Sequence, residues 1–196
     1  MPSFATKPTL TGERVVLRPF VPEDVDRIAV ILADPDVQRL TGSVHSTAEA
    51  HAASPEPDAR VRDWYSTRNE QEDRLDLAVV DKVAGTCVGE VVLNDWDAGN
   101  QSCGFRILLG PEGQNRGFGT EATRLILGYA FRTLGLHRVA LEVYAFNPRA
   151  QRVYEKAGFV VEGVARDALR FDDEWVDAVT MAALAPEWLA AHAASA

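Results

Sequence analysis

The chain has 196 residues, of which 46% are hydrophobic and 25% are charged, and its net charge is −9. This balance is typical of a globular protein with one core. We therefore expect a single domain over residues 1–196, with its core at about residues 10–185 and frayed ends. Lys and Arg are scattered along the acidic chain, which argues against nucleic acid as a partner. The negative charge suits a cationic substrate, and it equally serves solubility alone.

The sequence also limits the compartment and the metal chemistry. No apolar run approaches the ~20 residues that a membrane span requires, and the amino terminus lacks the apolar stretch of a signal peptide. We therefore expect a cytoplasmic protein with no membrane partner. Cys87, Cys103 and the four histidines are scattered, without metal-ligand spacing. The sequence thus predicts no metal site.

The predicted elements begin with a strand at residues 15–20 and a helix from Pro22 to residue 32, whose apolar positions recur at helical spacing. Small and polar residues then predict a loop over residues 34–57 with room for one short helix, and a helix follows at residues 58–68. Three strands come next, typical of an antiparallel meander and separated by turn residues: 75–81, 86–94 and 102–109.

The second half of the chain predicts a long helix at residues 117–134 with an apolar stripe. A strand at residues 138–145 follows, and Asn147 and Pro148 are typical of a helix start. Two strands that flank residues 172–173 and a short carboxy-terminal helix complete the chain. This order indicates an α/β fold of the α+β type.

A glycine-containing junction joins the strand at residues 102–109 to the long helix. Such a junction presents unpaired backbone N–H groups at the positive end of a helix dipole, which together bind phosphate. Gly117 and Gly119 allow close approach of the backbone, and Arg116 can add a charge. An ordinary tight turn explains the glycine pair equally well.

The same junction fits the dinucleotide fingerprint G-x-G-x-x-A, and Glu142 follows roughly 20 residues later, as a ribose-binding acid would. This alternative predicts a nicotinamide-dependent oxidoreductase. However, Gly117 comes well after the preceding strand, and the strands before it have the pattern of an antiparallel sheet. A dinucleotide fold is therefore the less favoured interpretation.

Two spaced motifs resemble the GNAT superfamily of N-acetyltransferases. The first is Q/R-x-x-G-x-G/A, present as QNRGFG at residues 114–119 and extended by TEA. The second is N-x-x-A-x-x-x-Y-E-K-x-G-F at residues 147–159, at the correct distance downstream. Within the superfamily, the chain is similar to the branch of ribosomal-protein amino-terminal acetyltransferases. The resemblance spans nearly the whole chain and implies a mixed, mostly antiparallel sheet of about seven strands flanked by helices.

The resemblance also implies acetyl-CoA as the acyl donor and no metal cofactor. Backbone groups of a strand would pair with the pantetheine arm, the junction would hold the pyrophosphate, and the second motif would contact the cofactor further along. Phe118 would pack beneath the junction. The implied cofactor-binding residues are Ile107, Leu108, Leu109, Gln114, Asn115, Arg116, Gly117, Phe118, Gly119, Thr120, Asn147, Arg149 and Tyr154.

By the same resemblance, Tyr154 takes the position of the general acid that protonates the departing thiolate. A backbone N–H near Leu108 would meet the oxyanion, where the family's strand splays from its neighbour. Glu90 and Glu142 lie in predicted strands near the site and are the two candidates for the general base. Each of the two is at least as readily a solvent-facing strand residue.

The implied activity is acetyl transfer to a primary amine, either a protein amino terminus or a small molecule. Dimers occur among similar proteins, so a homodimer is one assembly that the resemblance implies. The acceptor side is expected from the first helix, the loop through His45 and His51, the helix at residues 58–68 and the segment near Trp175. Trp64 and Tyr65 could wall the amine pocket by cation–π contact, although core packing explains such aromatics more often. A non-catalytic, CoA-binding sensory module with the same fold remains an alternative.

Overall fold

The computed structural model describes residues 4–56 and 59–193. Asp58, the predicted start of a helix, therefore lies outside the described residues. The predicted frayed ends lie partly outside them. The strands are β1 (Leu10–Thr11), β2 (Val15–Arg18), β3 (Leu75–Asp81), β4 (Cys87–Asp97), β5 (Ser102–Leu109), β6 (Arg138–Tyr144), β7 (Val160–Phe171) and β8 (Glu174–Leu184). The helices are α1 (Asp24–Leu32), α2 (Pro35–Thr41), α3 (Thr47–Ala52), α4 (Ala59–Ser66), α5 (Phe118–Arg132), α6 (Pro148–Ala157) and α7 (Ala185–Ala191).

The eight strands form one sheet in the order β1-β2-β3-β4-β5-β6-β8-β7. Neighbouring strands are antiparallel at every junction except one, because β5 and β6 run parallel. The predicted mixed, mostly antiparallel sheet is therefore confirmed. It has one strand more than expected, since the two residues of β1 pair with β2. None of the helices described is long and apolar enough to cross a membrane.

The loop predicted between residues 34 and 57 was the least accurate expectation, because two helices form there. Asp34 caps α2 by accepting a hydrogen bond from the Val37 amide at 2.9 Å, and Gly42 ends that helix with a φ of 67°. Ser46 caps α3 by accepting from the Glu49 amide. Each helix is so short that capping and tertiary contact decide its formation more than composition does.

The sheet separates two apolar clusters, and strand alternation assigns each side chain to one of them. Helices α5, α6 and α7 pack on one face against residues such as Val91, Leu93 and Phe105. Helices α1, α2 and α4 pack on the other face, with Ala78 and Val80 of β3. We call these the helix α5 face and the helix α1 face.

Helix α5 forms because its apolar residues fall on a single stripe. Ala122, Ile126 and Ala130 recur at four-residue spacing and have no exposed surface. Their burial fixes the axis of α5 against the sheet, and this places the first turn of the helix beside the end of β5. The predicted helix at residues 117–134 is thus confirmed as α5, and it positions the glycine-containing junction.

Candidate active site

The candidate site is a cleft between β5 and β6. These two parallel strands pair only from Ser102 to Gly104 on β5 and from Arg138 to Ala140 on β6, and beyond that point they separate. The opening has a volume of about 410 Å³ and is lined by both strands, α2, α6 and the start of α5. Because the strands part, the cleft reaches both faces of the sheet.

Only some backbone groups of β5 face this opening. The Gly110 amide donates to the Val88 carbonyl at 3.0 Å, which marks these two residues as a hydrogen-bonded antiparallel pair. Hydrogen-bonded pairs alternate along such a ladder, so the Leu108 amide points to β4 and the amides of Ile107 and Leu109 point into the cleft. The oxyanion donor expected at Leu108 is therefore already committed to the sheet.

The junction before α5 has an open helix terminus. Gly117 is the N-cap with a φ of 79°, and no side chain in the described part of the chain caps the helix. A φ of this sign favours glycine, and Asn115 adopts a similar value of 57°. The amides of the first turn are therefore free to bind an anion. Residues of this junction line the cleft as the sequence predicts: Gln114, Asn115, Gly117, Phe118, Gly119 and Thr120.

Two side chains of the junction have structural contacts. Phe118 is 3% exposed and packs in the core beneath the turn, as expected. The Gln114 amide nitrogen donates to the Leu109 carbonyl at 2.9 Å. This bond ties the junction to β5 and uses a carbonyl that faces the cleft. The free outward-facing group nearest the junction is therefore the Leu109 amide.

Arg116 does not line the cleft, which corrects its predicted charge contact with phosphate. Its guanidinium forms a 2.8 Å ion pair with Asp81 and stacks over the Phe118 ring at 4.3 Å. Three basic residues line the cleft: Arg149, as predicted, and Arg106 and Lys156, which the sequence reasoning missed. The signal for Lys156 was its helical spacing, seven residues after Arg149 on the same face of α6.

Tyr154 lies on α6 at the wall of the cleft. It is 8% exposed and contacts Phe105 and Phe159 through edge-on aromatic packing. Burial raises the pKa of its phenol. Among the described residues the hydroxyl has no hydrogen-bond partner, so it is available to a bound molecule. Asn147 also lines the cleft, and its side chain caps α6 by accepting from the Ala150 amide at 3.1 Å.

Glu90 lines the cleft from the helix α1 face, on the opposite side of the sheet from Tyr154. The hydroxyl of Tyr65 donates to its carboxylate at 3.0 Å. Burial and the nearby charge of Asp76 raise the pKa of Glu90 to about 7, against a partial opposing effect of the Tyr65 hydrogen bond. Glu90 can therefore take up and release a proton near neutral pH.

The other expected acceptor-side residues have different positions. Glu142 lines the cleft on β6 but is exposed to solvent. Trp64 is covered by the guanidinium of Arg68 at 3.5 Å and does not line the cleft. Tyr65 reaches the site through Glu90, so neither aromatic forms the expected cation–π wall. The cleft-lining residues of the helix α1 face that the sequence reasoning missed are Val37, Leu40, Thr41, Val92, Arg106 and Tyr144.

The dinucleotide alternative is incompatible with this fold. A dinucleotide fold needs a largely parallel sheet with the glycine loop directly after a strand. Here β5 and β6 form the single parallel pair among the described strands, and a short 3₁₀ turn at Pro111–Gly113 separates β5 from the glycines.

Comparison with known proteins agrees with this geometry. Residues 14–160 match the family model described as "Acetyltransferase (GNAT) domain". The chain is 27% identical to the "Putative ribosomal N-acetyltransferase YdaF" of Bacillus subtilis, over 90% of this chain and 94% of that protein. It is 32% identical to the spermidine N(1)-acetyltransferase of Vibrio cholerae, over 57% of this chain and 64% of that protein.

Solved structures show the same fold. The crystal structure of spermidine N-acetyltransferase from Vibrio cholerae in complex with CoA and spermine has a TM-score of 0.77 at 23% identity, over 91% of this chain and 99% of that chain. A GNAT-family acetyltransferase from Bacillus anthracis has a TM-score of 0.74 at 23% identity, over 92% of this chain and 100% of that chain. The sheet, the cleft and the family match lead to one conclusion: the chain belongs to the GNAT family of N-acetyltransferases.

Proposed function

We propose that this enzyme transfers an acetyl group from acetyl-CoA to a primary amine by direct attack within a ternary complex. The observation that carries the proposal is the cleft between β5 and β6, which opens on both faces of the sheet. Tyr154 lies on one side of this opening and Glu90 on the other. The two substrates can therefore approach from opposite faces and meet between two proton-transferring groups.

The residues present fit an acyl-CoA. The outward amides of Ile107 and Leu109 offer a strand edge to the amide groups of a pantetheine arm. The uncapped start of α5 suits a pyrophosphate, and the side chains of Arg149 and Lys156 add positive charge to the same cleft. Acetyl-CoA supplies the activated acetyl thioester, and the chain supplies its orientation.

The proton transfers follow from the two side chains. Glu90 accepts a proton from the acceptor ammonium, directly or through water, so that the neutral nitrogen can attack the thioester carbonyl. The nitrogen–carbon bond forms, the carbon–sulfur bond breaks, and Tyr154 donates a proton to the departing sulfur. After the attack the nitrogen loses a second proton, and this proton converts the Tyr154 phenolate back to the phenol. Of the two cleft-facing amides of β5, that of Ile107 lies further from the junction and is the donor for the carbonyl oxygen as charge develops on it, which leaves the Leu109 amide for the pantetheine arm.

The acceptor is proposed as a primary amine. Named relatives act on spermidine, and the resemblance to amino-terminal acetyltransferases points to an α-amine. Both acceptors are primary amines with the same requirement for deprotonation. A protein amino terminus as the acceptor, a cytoplasmic location and assembly into a homodimer remain predictions from the sequence.

The test compares Tyr154→Phe and Glu90→Gln with the native enzyme in amine-dependent release of CoA thiol. Removing a positioned acid or base typically costs 10²–10⁴-fold in rate, so we expect a loss in kcat of about that size at pH 7. Acetyl-CoA binding, measured by calorimetry, should be retained. If acetyl-CoA binds but no amine among polyamines, amino acids and peptides releases thiol, the sensory-module alternative is supported.

A further inference from the structure

The acceptor half of the cleft contains a cation that the reaction scheme does not use. Arg106 lines the cleft from β5, and strand alternation places its side chain on the helix α1 face together with Glu90. Its guanidinium forms no hydrogen bond, ion pair or aromatic contact with any residue in the described ranges 4–56 and 59–193. Arg74 and Arg138, by contrast, are each held in a bidentate pair with a carboxylate.

The position of Arg106 relative to the base is defined by strand register. Arg106 pairs with Val92, and Glu90 pairs with Leu108, so Arg106 and Glu90 are diagonal neighbours on one face. The Cβ atoms of such neighbours are about 7–8 Å apart. The positive charge of Arg106 favours the ionised form of Glu90 and therefore lowers the pKa of that carboxyl. When the nitrogen of an acceptor lies at Glu90, the acceptor atoms a few bonds away from that nitrogen therefore lie beside Arg106.

A free guanidinium at this distance selects the chemistry of the acceptor. Its planar set of donors matches a carboxylate or a phosphate in a bidentate arrangement. A second ammonium group, as in a polyamine, would instead meet a like charge. Nearby acidic groups offset this only in part, since the charge of Glu162 is already paired with Arg138, whereas Asp95 has only the neutral Asn94 amide as its partner and keeps its charge. Glu142 is the remaining carboxylate that lines both this cleft and the adjacent shallow pocket on the same face.

We infer that the acceptor is a small primary amine that carries an anionic group, with Arg106 as the residue that binds this group. The inference rests on the proposed function. It names a compact, zwitterionic acceptor, such as an amino acid or an aminoalkyl phosphate. Arg106 would bind the anion while Glu90 deprotonates the amine, so Arg106 determines specificity.

The experiment uses pairs of amines that differ only in the anion. L-phenylalanine is compared with 2-phenylethylamine, L-leucine with isopentylamine, and O-phosphoethanolamine with ethanolamine, with spermidine as the polyamine. We expect the native enzyme to prefer the anionic member of at least one pair by about tenfold or more in kcat/KM, as one charge-assisted bidentate contact allows. The amino acid and phosphate pairs distinguish the two sources of the anion.

The variants assign the preference to the side chain. Arg106→Gln should reduce the preference within each pair to nearly none. Loss of the Arg106 charge also raises the pKa of Glu90 and so affects both members of a pair alike, which makes the ratio of the two kcat/KM values the readout. Arg106→Lys keeps the charge without the planar donors and should give an intermediate preference. Arg152→Gln is the matched control, because Arg152 is exposed on α6 and does not line the cleft. Thermal unfolding and acetyl-CoA binding confirm that each variant is folded.

The outcomes separate the two proposals. If the native enzyme acetylates amines but prefers spermidine or the members without an anion, the inference is wrong and the proposed function stands. The same holds if Arg106→Gln lowers kcat/KM equally for every amine, which indicates a structural role. If acetyl-CoA binds and no amine of any class is acetylated, both proposals fail.

Discussion

At the scale of single residues, the hydrogen bond between Tyr65 and Glu90 sets the pH at which the proposed base works. The bond favours the charged carboxylate and therefore opposes the effect of burial. In Tyr65→Phe this bond is lost, so the pKa of Glu90 should rise above its present value of about 7. We expect the acidic limb of the kcat/KM profile to move to higher pH by between about half a unit and one unit.

The matched control for Tyr65→Phe is Tyr129→Phe, which removes a phenol from α5 far from Glu90 in the chain. Its pH profile should coincide with that of the native enzyme. An unmoved acidic limb in Tyr65→Phe would show that Tyr65 only packs, in contact with Phe20, or that another group is the base.

The same burial predicts that Glu90 lowers stability at alkaline pH. The folded protein keeps a proton on Glu90 up to about pH 7, whereas an ordinary glutamate releases it near 4.5. Stability therefore falls as pH rises between these two values. At pH 8, Glu90→Gln removes the buried charge and should raise the unfolding midpoint by about 2–8 °C, for a gain of about 1–2 kcal/mol. At about pH 4, below both values, the midpoints of the two proteins should nearly coincide, and exposed Glu142→Gln should change the midpoint at neither pH.

At the scale of elements, the β7–β8 hairpin holds the helices that cover the acceptor side. Asp172, at the tip of this hairpin, accepts from the Thr47 amide at 2.9 Å and from its hydroxyl at 2.7 Å. The Asp172 amide donates to the His45 carbonyl at 2.8 Å. These bonds attach the start of α3 to the hairpin, and α3 in turn follows α2, whose residues line the cleft.

Asp172→Ala should therefore loosen α3 and the acceptor side together. We expect faster hydrogen exchange at the amides of residues 47–52 and a several-fold increase in the KM for the amine, with the KM for acetyl-CoA unchanged. Asp173→Ala is the control, since that side chain is fully exposed and has only a 3.7 Å pairing with Arg170. Equal effects of the two substitutions would mean that general hairpin stability, and not the bonds to Thr47, controls the site.

The elements also show which parts of the structure the sequence could predict. Strands β3 and β5 and helix α5 have long periodic patterns, and their predicted bounds agree with the structure within two residues or better. The two short helices α2 and α3 have almost no period to detect, although Asp34, Pro35 and Gly42 carried the capping signals. A local sequence pattern therefore predicts the strands and the long helix α5 better than it predicts the short helices α2 and α3.

The site follows the same rule. Tyr154 and the junction at residues 114–119 belong to contiguous motifs, so their spacing placed them at the cleft. Glu90 is contacted by Tyr65, which lies 25 residues before it and joins it only through the fold, whereas Glu142 is exposed. The direction of the Leu108 amide depends on ladder alternation, and that of Arg116 depends on Asp81. No local pattern carries these pairings.

At the scale of the whole molecule, cofactor binding should appear as stabilisation of the entire domain. A ligand at a hundred times its dissociation constant stabilises the folded state by about 2.7 kcal/mol. For a chain of this size the unfolding midpoint should rise by about 5–11 °C with acetyl-CoA. NAD should give no rise, because the described sheet lacks the parallel strands of a dinucleotide fold.

The glycine-containing junction should carry much of this stabilisation. Gly117 has a φ of 79°, and an added Cβ would lie 2.6 Å from the Arg14 guanidinium, so Gly117→Ala should distort the start of α5 and reduce the rise with acetyl-CoA. Gly85→Ala is the matched control, because Gly85 has a φ of 70° with nothing within 4 Å of an added Cβ and does not line the cleft. It should lower the midpoint of the ligand-free protein and keep the full rise. An equal rise in both variants would place the pyrophosphate elsewhere and leave the first turn of α5 without its proposed role.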